Sequence, residues 1–463
     1  MRQGVIAAIS TPPGKGGVAI IRMSGEESIE ILSRVFTAAS GKVVTDYPPR
    51  TQVYGYIIYN NERIDDGLVT VFPAPHSYTG ETVVEISCHG GILITETVLK
   101  ALFVAGATPA ASGEFTRRAF INGRLTLTEA EAIGNLIEAR SEEQIRLCAS
   151  PARQRLRDEI AAIRKEITRL LSSIYARIDY PDEDLGDMSD SEVTDSLLAI
   201  RNRLTALIDT YCTGKAISEG ISAVICGKPN VGKSTLYNLI LGEDAAIVTD
   251  IAGTTRDVLE RSVPLGRVML RLTDTAGIRN GEACDGVERI GIERSVSRIA
   301  AADLVIALFD LSRPLDSEDD DVLRAVKDAR GAKICILSKS DLDRGLLDRC
   351  RLDGLFDAYL TVCCEGDEAE CIRLLTECVD RLFTDEKIST SRDAVVASVR
   401  QHSALVRARD YIDTATLAMR DGIPVDAASS DIELALGAIG ELDGRSVSDE
   451  VTADIFSRFC VGK

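Results

Sequence analysis

The segment GKPNVGKS, residues 227–234, decides the fold. It follows the apolar run ISAVIC (221–226) and opens the helix-like stretch STLYNLIL (234–241). Its spacing is G-x-x-x-x-G-K-[ST]. The glycines let backbone N–H groups close on phosphate oxygens, Lys233 supplies a positive charge, and the Ser234 hydroxyl can bind Mg²⁺. Strand, loop and helix in that succession predict the start of a parallel α/β sheet.

Three more elements follow in the order a nucleotide switch needs. DTAG (274–277) ends the run VMLRLTD, so Asp274 can hold Mg²⁺ through water and the Gly277 N–H can sense a γ-phosphate. Upstream of it, DIAGTTRD (250–257) offers Thr255 as the hydroxyl that reaches Mg²⁺ when the γ-phosphate is present. SKSD (338–341) ends the run AKICILS. The Asp341 carboxylate can accept from guanine N1–H and N2–H₂, a donor pair adenine lacks, and Lys339 can lay its stem on the base. The set predicts a GTPase and resembles the Ras-like, translation-factor-related class. Two positions depart from that class: Ser338 stands where Asn is usual, and VCCEG (362–366) where Ser-Ala-Lys is usual. A third bears on hydrolysis. Ile278 stands where Ras-type proteins carry a water-orienting Gln, so another group must serve. Glu288, in GVERIGIER, is the candidate base or water-positioner; it also reads as a solvated helix carboxylate.

Outward from this core, ADLVIALFD continues the strand–helix alternation, which stops near Phe383. VYGYIIY (53–59), GLVTVF (67–72) and ETVVEIS (81–87) predict strands, and ILITETVLKALFVAG a helix, of a compact α+β domain. Thr128 and Glu131 have capping-box spacing and predict a helix start. Beyond Pro151, Leu156, Ile160, Ile163, Ile167, Leu170 and Ile174 form one apolar stripe on a long helix. Residues 140–169 hold eight basic and five acidic side chains, the best basic face in the chain, which also reads as merely solvated. Ile432, Leu436, Ile439 and Leu442 mark one later helix, and Val451, Ile455, Phe456 and Phe459 another. The α/β domain therefore reads as an insertion into a helical domain. The expected boundaries are 1–118, 119–216 (helical, first part), 217–384 (α/β) and 385–463 (helical, second part). Phe456 and Phe459 should anchor the last helix and leave 460–463 as a short mobile tail.

Composition limits the alternatives. The 463 residues carry 53 basic and 72 acidic side chains, a net charge of −19, so bulk charge does not advertise nucleic-acid binding. No apolar run approaches the ~18 residues of a spanning helix, and the N-terminal MRQGVIAAISTPPG does not read as a secretory signal. Twelve cysteines without repeated CxxC spacing favour a reducing cytoplasm. His76, His89 and His402 are scattered and predict no zinc site.

The whole chain resembles the MnmE (TrmE) family of tRNA-modifying GTPases. The marks are TPPGKGGVAIIRMSG (11–25), PHSYTGETVVEISCHGG (75–91), GEFTRRAFINGRLTLTEAEAI (113–133), DIAGTTRD, the DTAGIR…GVERIGIER block and the terminal FCVGK (459–463), where Val461 replaces the usual Ile. The resemblance implies a multidomain protein: an α+β tetrahydrofolate-binding-like N-terminal domain, a discontinuous α-helical domain and an inserted α/β Ras-like P-loop GTPase domain. It implies a homodimer through the N-terminal domain and a flavoprotein partner, MnmG (GidA). Together they modify C5 of the wobble uridine of certain tRNAs with an aminomethyl or carboxymethylaminomethyl group.

On matching positions, the family implies GTP held by Asn230, Val231, Gly232, Lys233, Ser234, Thr235, Thr249, Thr254, Thr255, Asp274, Thr275, Ala276, Gly277, Lys339 and Asp341. Mg²⁺ belongs at Ser234 and Thr255. K⁺ belongs at Asn230, Thr249, Ile251 and Thr254, where a cation could replace an arginine finger. Arg22, Glu85, Arg124 and Lys463 should surround a 5,10-methylene- or 5-formyl-tetrahydrofolate, with Arg124 where the family often has Lys. Cys460 reads equally as a nucleophile toward C6 of uracil or as a small apolar filler. The competing reading is a regulatory or ribosome-assembly GTPase without modification chemistry. Either protein would be cytoplasmic and without membrane insertion.

Overall fold

The computed structural model describes residues 4–180, 188–242, 260–273, 298–342, 346–364, 366–444 and 447–462. It divides into two compact units. The first comprises Met1–Glu138, Arg157–Leu198 and Asp410–Lys463; the second comprises Ala139–Leu156 and Ala199–Arg409.

The first unit contains a seven-stranded sheet: β1 (Ile6–Ile9), β2 (Gly16–Ser24), β3 (Phe36–Ala38), β4 (Gln52–Tyr59), β5 (Glu62–Phe72), β6 (Val83–Gly90) and β7 (Thr108–Pro109). The order is β3-β4-β5-β6-β2-β1-β7, antiparallel throughout except for the parallel pair β1–β7. The three expected strands are β4, β5 and β6. The expected helix is Ile92–Ala105, and with the helix Ser28–Val35 it buries one sheet face. Ile31, Leu32, Val98 and Leu102 meet Ile21, Val69 and Ile86 in a single core.

The capping box lies two residues earlier than its spacing suggested. Thr126 Oγ1 accepts from the Glu129 N–H, and the Glu129 carboxylate accepts from the Thr126 N–H and hydroxyl, opening the helix Leu127–Glu138. Thr128 is instead buried and donates to the Leu442 carbonyl at 2.8 Å. Pro151 stands in the first turn of the helix Ser150–Asp179, where a missing N–H costs no intrahelical bond. The six residues of the expected stripe on that helix are all buried.

The second unit carries a six-stranded sheet: β8 (Ile221–Cys226), β9 (Glu260–Leu265), β10 (Val268–Thr273), β11 (Leu304–Asp310), β12 (Ala332–Ser338) and β13 (Ala358–Thr361). The order is β13-β12-β11-β8-β10-β9, parallel except for the β9–β10 hairpin. Alternate residues feed two cores. Ile221, Ala223, Ile225, Leu304, Ile306 and Leu308 pack on one face; Val224, Cys226, Val305, Ala307 and Phe309 pack on the other. Burial on both faces explains why these strands read as unbroken apolar runs. In such sheets the ligand crevice lies outside the carboxyl ends of the strands. Helices flank this sheet in sequence on both sides: Asp190–Asp209 and Tyr211–Ser218 before it, and Val399–Arg420, Val425–Asp443 and Asp449–Ser457 after it.

Candidate functional site

The phosphate loop leaves the end of β8 and enters the helix Lys233–Leu241. Its first residue must be glycine: Gly227 has φ +145°, and a Cβ there would lie 2.7 Å from the Leu308 carbonyl oxygen. Gly232 caps the helix in the left-handed region and offers no side chain to accept from the first-turn N–H groups. Those donors and the helix dipole suit an anion. Lys233 Nζ lies 2.8 Å from the Gly227 carbonyl and 2.7 Å from the Lys228 carbonyl, and burial lowers its pKa. Val231 is fully buried, while Asn230, at φ +63°, and Ser234 are exposed. The Ser234 hydroxyl opens the helix, where a hard cation bound to phosphate oxygens finds its protein ligand, so the residues present fit Mg²⁺ with a nucleotide. Among the described residues no group of three or more His, Cys, Asp or Glu could hold a metal ion.

The base-recognition segment leaves the end of β12. Ser338 Oγ is buried and donates to the Val231 carbonyl at 2.8 Å, with the Phe309 carbonyl 3.2 Å from the same oxygen. Lys339 has φ +59°, and its ammonium bonds Asp310 at 2.8 Å. Asp310, at the end of β11, also accepts from the Ser312 N–H and hydroxyl. Burial raises its pKa, but the hydrogen bonds from Lys339 and Ser312 outweigh it and bring the group down to about 2. The Cys363 thiol donates to Asp341 Oδ1 at 3.2 Å, so the loop in place of Ser-Ala-Lys still touches this carboxylate. Sequence reasoning missed Asp310, which belongs to no spaced motif, whereas Cys363 lies in the VCCEG segment it had set in place of Ser-Ala-Lys. Thr249, Ile251, Thr254, Thr255, Asp274, Thr275, Ala276, Gly277, Ile278 and Glu288 lie outside the described residues.

A second cluster forms in the first unit. Arg22 on β2 and Glu85 on β6 are cross-strand partners, with Nη2–Oε1 2.8 Å and Nε–Oε1 3.0 Å. The guanidinium stands 5.7 Å from the Tyr78 ring centre and 5.8 Å from that of Phe115. The exposed Arg124 lays its stem beside Gly80, two residues beyond Tyr78. Lys463 lies outside the described residues, but the carbonyl of Gly462 accepts from Ser10 Oγ at 3.1 Å and from Arg22 Nη1 at 3.5 Å.

Residues 460–462 are therefore docked, against the expectation of a mobile tail. Val461 bridges Ser112 antiparallel, and Phe456 and Phe459 pack with Leu127 and Ala130. Gly462 has φ +98°, and a Cβ there would meet the Ile9 carbonyl oxygen at 2.3 Å. Cys460 is exposed, and its carbonyl faces the Gly113 N–H at 3.5 Å. At least four of the eight basic residues of 140–169 are engaged within the protein. Arg146 pairs with Glu142 and Glu143, Arg155 bonds the Thr390 carbonyl, and Arg157 and Arg164 pair with Glu129 and Asp443.

Comparison with known proteins shows the family. Residues 5–124 match the family model described as "GTP-binding protein TrmE N-terminus", and residues 127–460 match "MnmE helical domain". The chain belongs to the MnmE family. A curated relative from Thermotoga sp. (strain RQ2), named "tRNA modification GTPase MnmE", is 39% identical over 458 residues, covering 99% of each chain. The relative of the same name from Lactobacillus helveticus (strain DPC 4571) is 38% identical over 461 residues, 99% of this chain and 98% of that one. Among solved structures, Era in complex with MgGDPNP and a 16S ribosomal RNA fragment matches 41% of this chain and 66% of that chain. Its identity is 21% and its TM-score 0.28, a likeness too slight to argue from. No helix among the described residues is long and apolar enough to cross a membrane.

Proposed function

We propose that this MnmE-family chain is a GTP-hydrolysing enzyme of tRNA modification. With a flavoprotein partner of the MnmG (GidA) type, it installs an aminomethyl or carboxymethylaminomethyl group at C5 of the wobble uridine. The observation that carries the GTPase part is the junction of two loops: Ser338 of SKSD bonded to Val231 of GKPNVGKS. A loop that selects guanine and a loop that binds phosphate serve one nucleotide when they are tied together.

Residues 230–235 of the phosphate loop hold the phosphates, with Lys233 as the cation, while Lys339 and Asp341 take the base. Ser234 and Thr255 would hold Mg²⁺, which would supply positive charge to the phosphates. Asn230, Thr249, Ile251 and Thr254 would hold K⁺, which would supply the charge that an arginine finger gives elsewhere. Glu288 positions the attacking water in place of the Gln that Ile278 replaces.

In the N-terminal domain, Arg22, Glu85, Arg124 and Lys463 would hold a 5,10-methylene- or 5-formyl-tetrahydrofolate, which would supply the one-carbon unit. The Arg22–Glu85 pair beside Tyr78 supports this reading: a pterin offers a flat donor–acceptor edge, and the folate tail offers carboxylates. Cys460, an exposed free cysteine two residues before Gly462, is available as a nucleophile. The domains are 1–118, 119–216 with 385–463, and 217–384; the first mediates homodimerisation, and the protein works in the cytoplasm.

Reconstitution tests the proposal. This chain, undermodified tRNA, the flavoprotein, a methylene-folate as one-carbon donor, ammonium or glycine as nitrogen donor, GTP, Mg²⁺ and K⁺ should together yield the modified wobble uridine. Omitting this chain, GTP or the flavoprotein should each abolish it. Product formed without GTP would refute the coupling, and product formed without the flavoprotein would refute the partnership.

A further inference from the structure

We infer that Lys228 and Asp310 are positioning residues for the two nucleotide loops, and that the connection from β11 into the helix Ser317–Lys327 is the frame to which both are tied. The inference rests on the nucleotide reading above.

Lys228 is the second residue of GKPNVGKS, where a cation would be expected to reach for phosphate. Its side chain is instead 3% exposed, and its ammonium bonds Asp316 Oδ2 at 2.7 Å and Asp319 Oδ2. These carboxylates form the capping box of the helix Ser317–Lys327: Asp316 accepts from the Asp319 N–H, and Asp319 accepts from the Asp316 N–H. Asp319 is buried, while Asp316 is half exposed. The charge of Lys228 is thus consumed within the protein, which leaves Lys233 to meet the phosphates.

The two lysines are nevertheless linked. The backbone carbonyl of Lys228 accepts from Lys233 Nζ at 2.7 Å. A path of direct contacts therefore runs from the capping box through Lys228 to the phosphate lysine. A hydrophobic side chain in place of Lys228 could fill the space, but it could not fix the loop by two directed bonds.

At the other end of the same connection, Asp310 holds Lys339 of the base loop at 2.8 Å. Lys339 has a positive φ, which a non-glycine residue adopts only when its surroundings impose it. Asp310 is buried and takes further bonds from Ser312, so it is a fixed post. One short segment, 310–319, thus carries the anchor of the base loop at its start and the anchor of the phosphate loop at its end. The anchors act on different parts of the nucleotide, so their removal should leave different signatures.

The test uses the full-length protein and two nucleotides, GTP and ITP, the latter lacking the N2 amino group. Equilibrium affinities are measured for wild type, Lys228→Gln, Lys228→Arg, Asp316→Asn and Asp310→Asn, with circular dichroism and melting curves to establish folding. Lys228→Gln should weaken both nucleotides in common by about tenfold or more, as expected of a small misplacement of a binding group. The GTP-to-ITP ratio should stay unchanged, and Lys228→Arg should recover most of the affinity. Asp310→Asn should instead lower the GTP-to-ITP ratio. A folded Lys228→Gln protein with wild-type affinity would overturn the inference, as would a loss confined to the base ratio. If Lys228→Gln does not fold, Asp316→Asn removes one of the two carboxylates, and an unchanged affinity there overturns the inference equally. A wild-type protein that binds neither nucleotide would refute the nucleotide reading itself, which is a different outcome.

Discussion

The hydroxyl of Ser338 donates to the carbonyl of Val231 across 2.8 Å, joining the end of β12 to the phosphate loop. The usual residue at 338 in related GTPases is asparagine, and serine makes the tether with a shorter arm. Both carbonyls near this hydroxyl are on buried residues, so its loss would leave polar atoms without this donor. Ser338→Ala should weaken GTP binding by roughly 2- to 10-fold, equivalent to one hydrogen bond of about 0.5–1.5 kcal/mol. Equilibrium titration with a fluorescent GTP analogue measures this. Unchanged affinity would show that the two loops are held together by other contacts.

Asp310 gives a pH prediction. Its carboxyl is held at about 2, below the ordinary 3.8, by the bonds it accepts from Lys339 and Ser312 despite its burial. A depressed carboxylate contributes stability that is fully present above the unfolded value and is lost as pH falls through the folded one. The stability difference between wild type and Asp310→Asn should therefore be constant above about pH 4 and shrink between pH 3.8 and 2. Denaturant titrations at stepped pH follow it. A difference that grows on acidification would contradict the ion pair.

Potassium should matter to turnover. Ile278 cannot orient water, and Asn230 stands exposed on the phosphate loop with φ +63°. GTP hydrolysis should be much faster in K⁺ than in Na⁺ at equal ionic strength, and Glu288→Ala should lower kcat by about 10²-fold with little change in nucleotide affinity. Equal rates in the two salts would remove the cation from the mechanism.

The nucleotide half of the molecule was legible because its chemistry is written in local spacing. GKPNVGKS and SKSD each follow an apolar run, and the unbroken apolar strands between helices pointed to a parallel sheet, which is buried on both faces. What escaped depended on distant partners. Thr126 and Thr128 both stand three residues before a Glu, and only the burial of Thr128 against Leu442 separates cap from core. Lys228 occupies an unspecified position of its motif, and its partners lie 88 and 91 residues away. The tail 460–462 looked free because nothing local holds it; Ser10, Arg22 and Ser112 do.

That docking yields a prediction for the C-terminus. An alanine at Gly462 would need a left-handed backbone, costing roughly 1–2 kcal/mol, and its Cβ would press on the Ile9 carbonyl. Gly462→Ala should release the tail, leave GTP hydrolysis near wild type and strongly reduce tRNA modification. Intact modification in this variant would separate the tail from the Arg22–Glu85 cluster's function.

The central claim is that GTP turnover in this chain serves chemistry at the wobble uridine. Nucleoside analysis by mass spectrometry tests it most directly, on tRNA from a deletion strain complemented with wild type or with Lys233→Ala. We predict that the C5-modified wobble uridine is absent from the deletion strain, restored by wild type and not restored by Lys233→Ala. Modified uridine at normal levels in the deletion strain, or full restoration by Lys233→Ala, would contradict it.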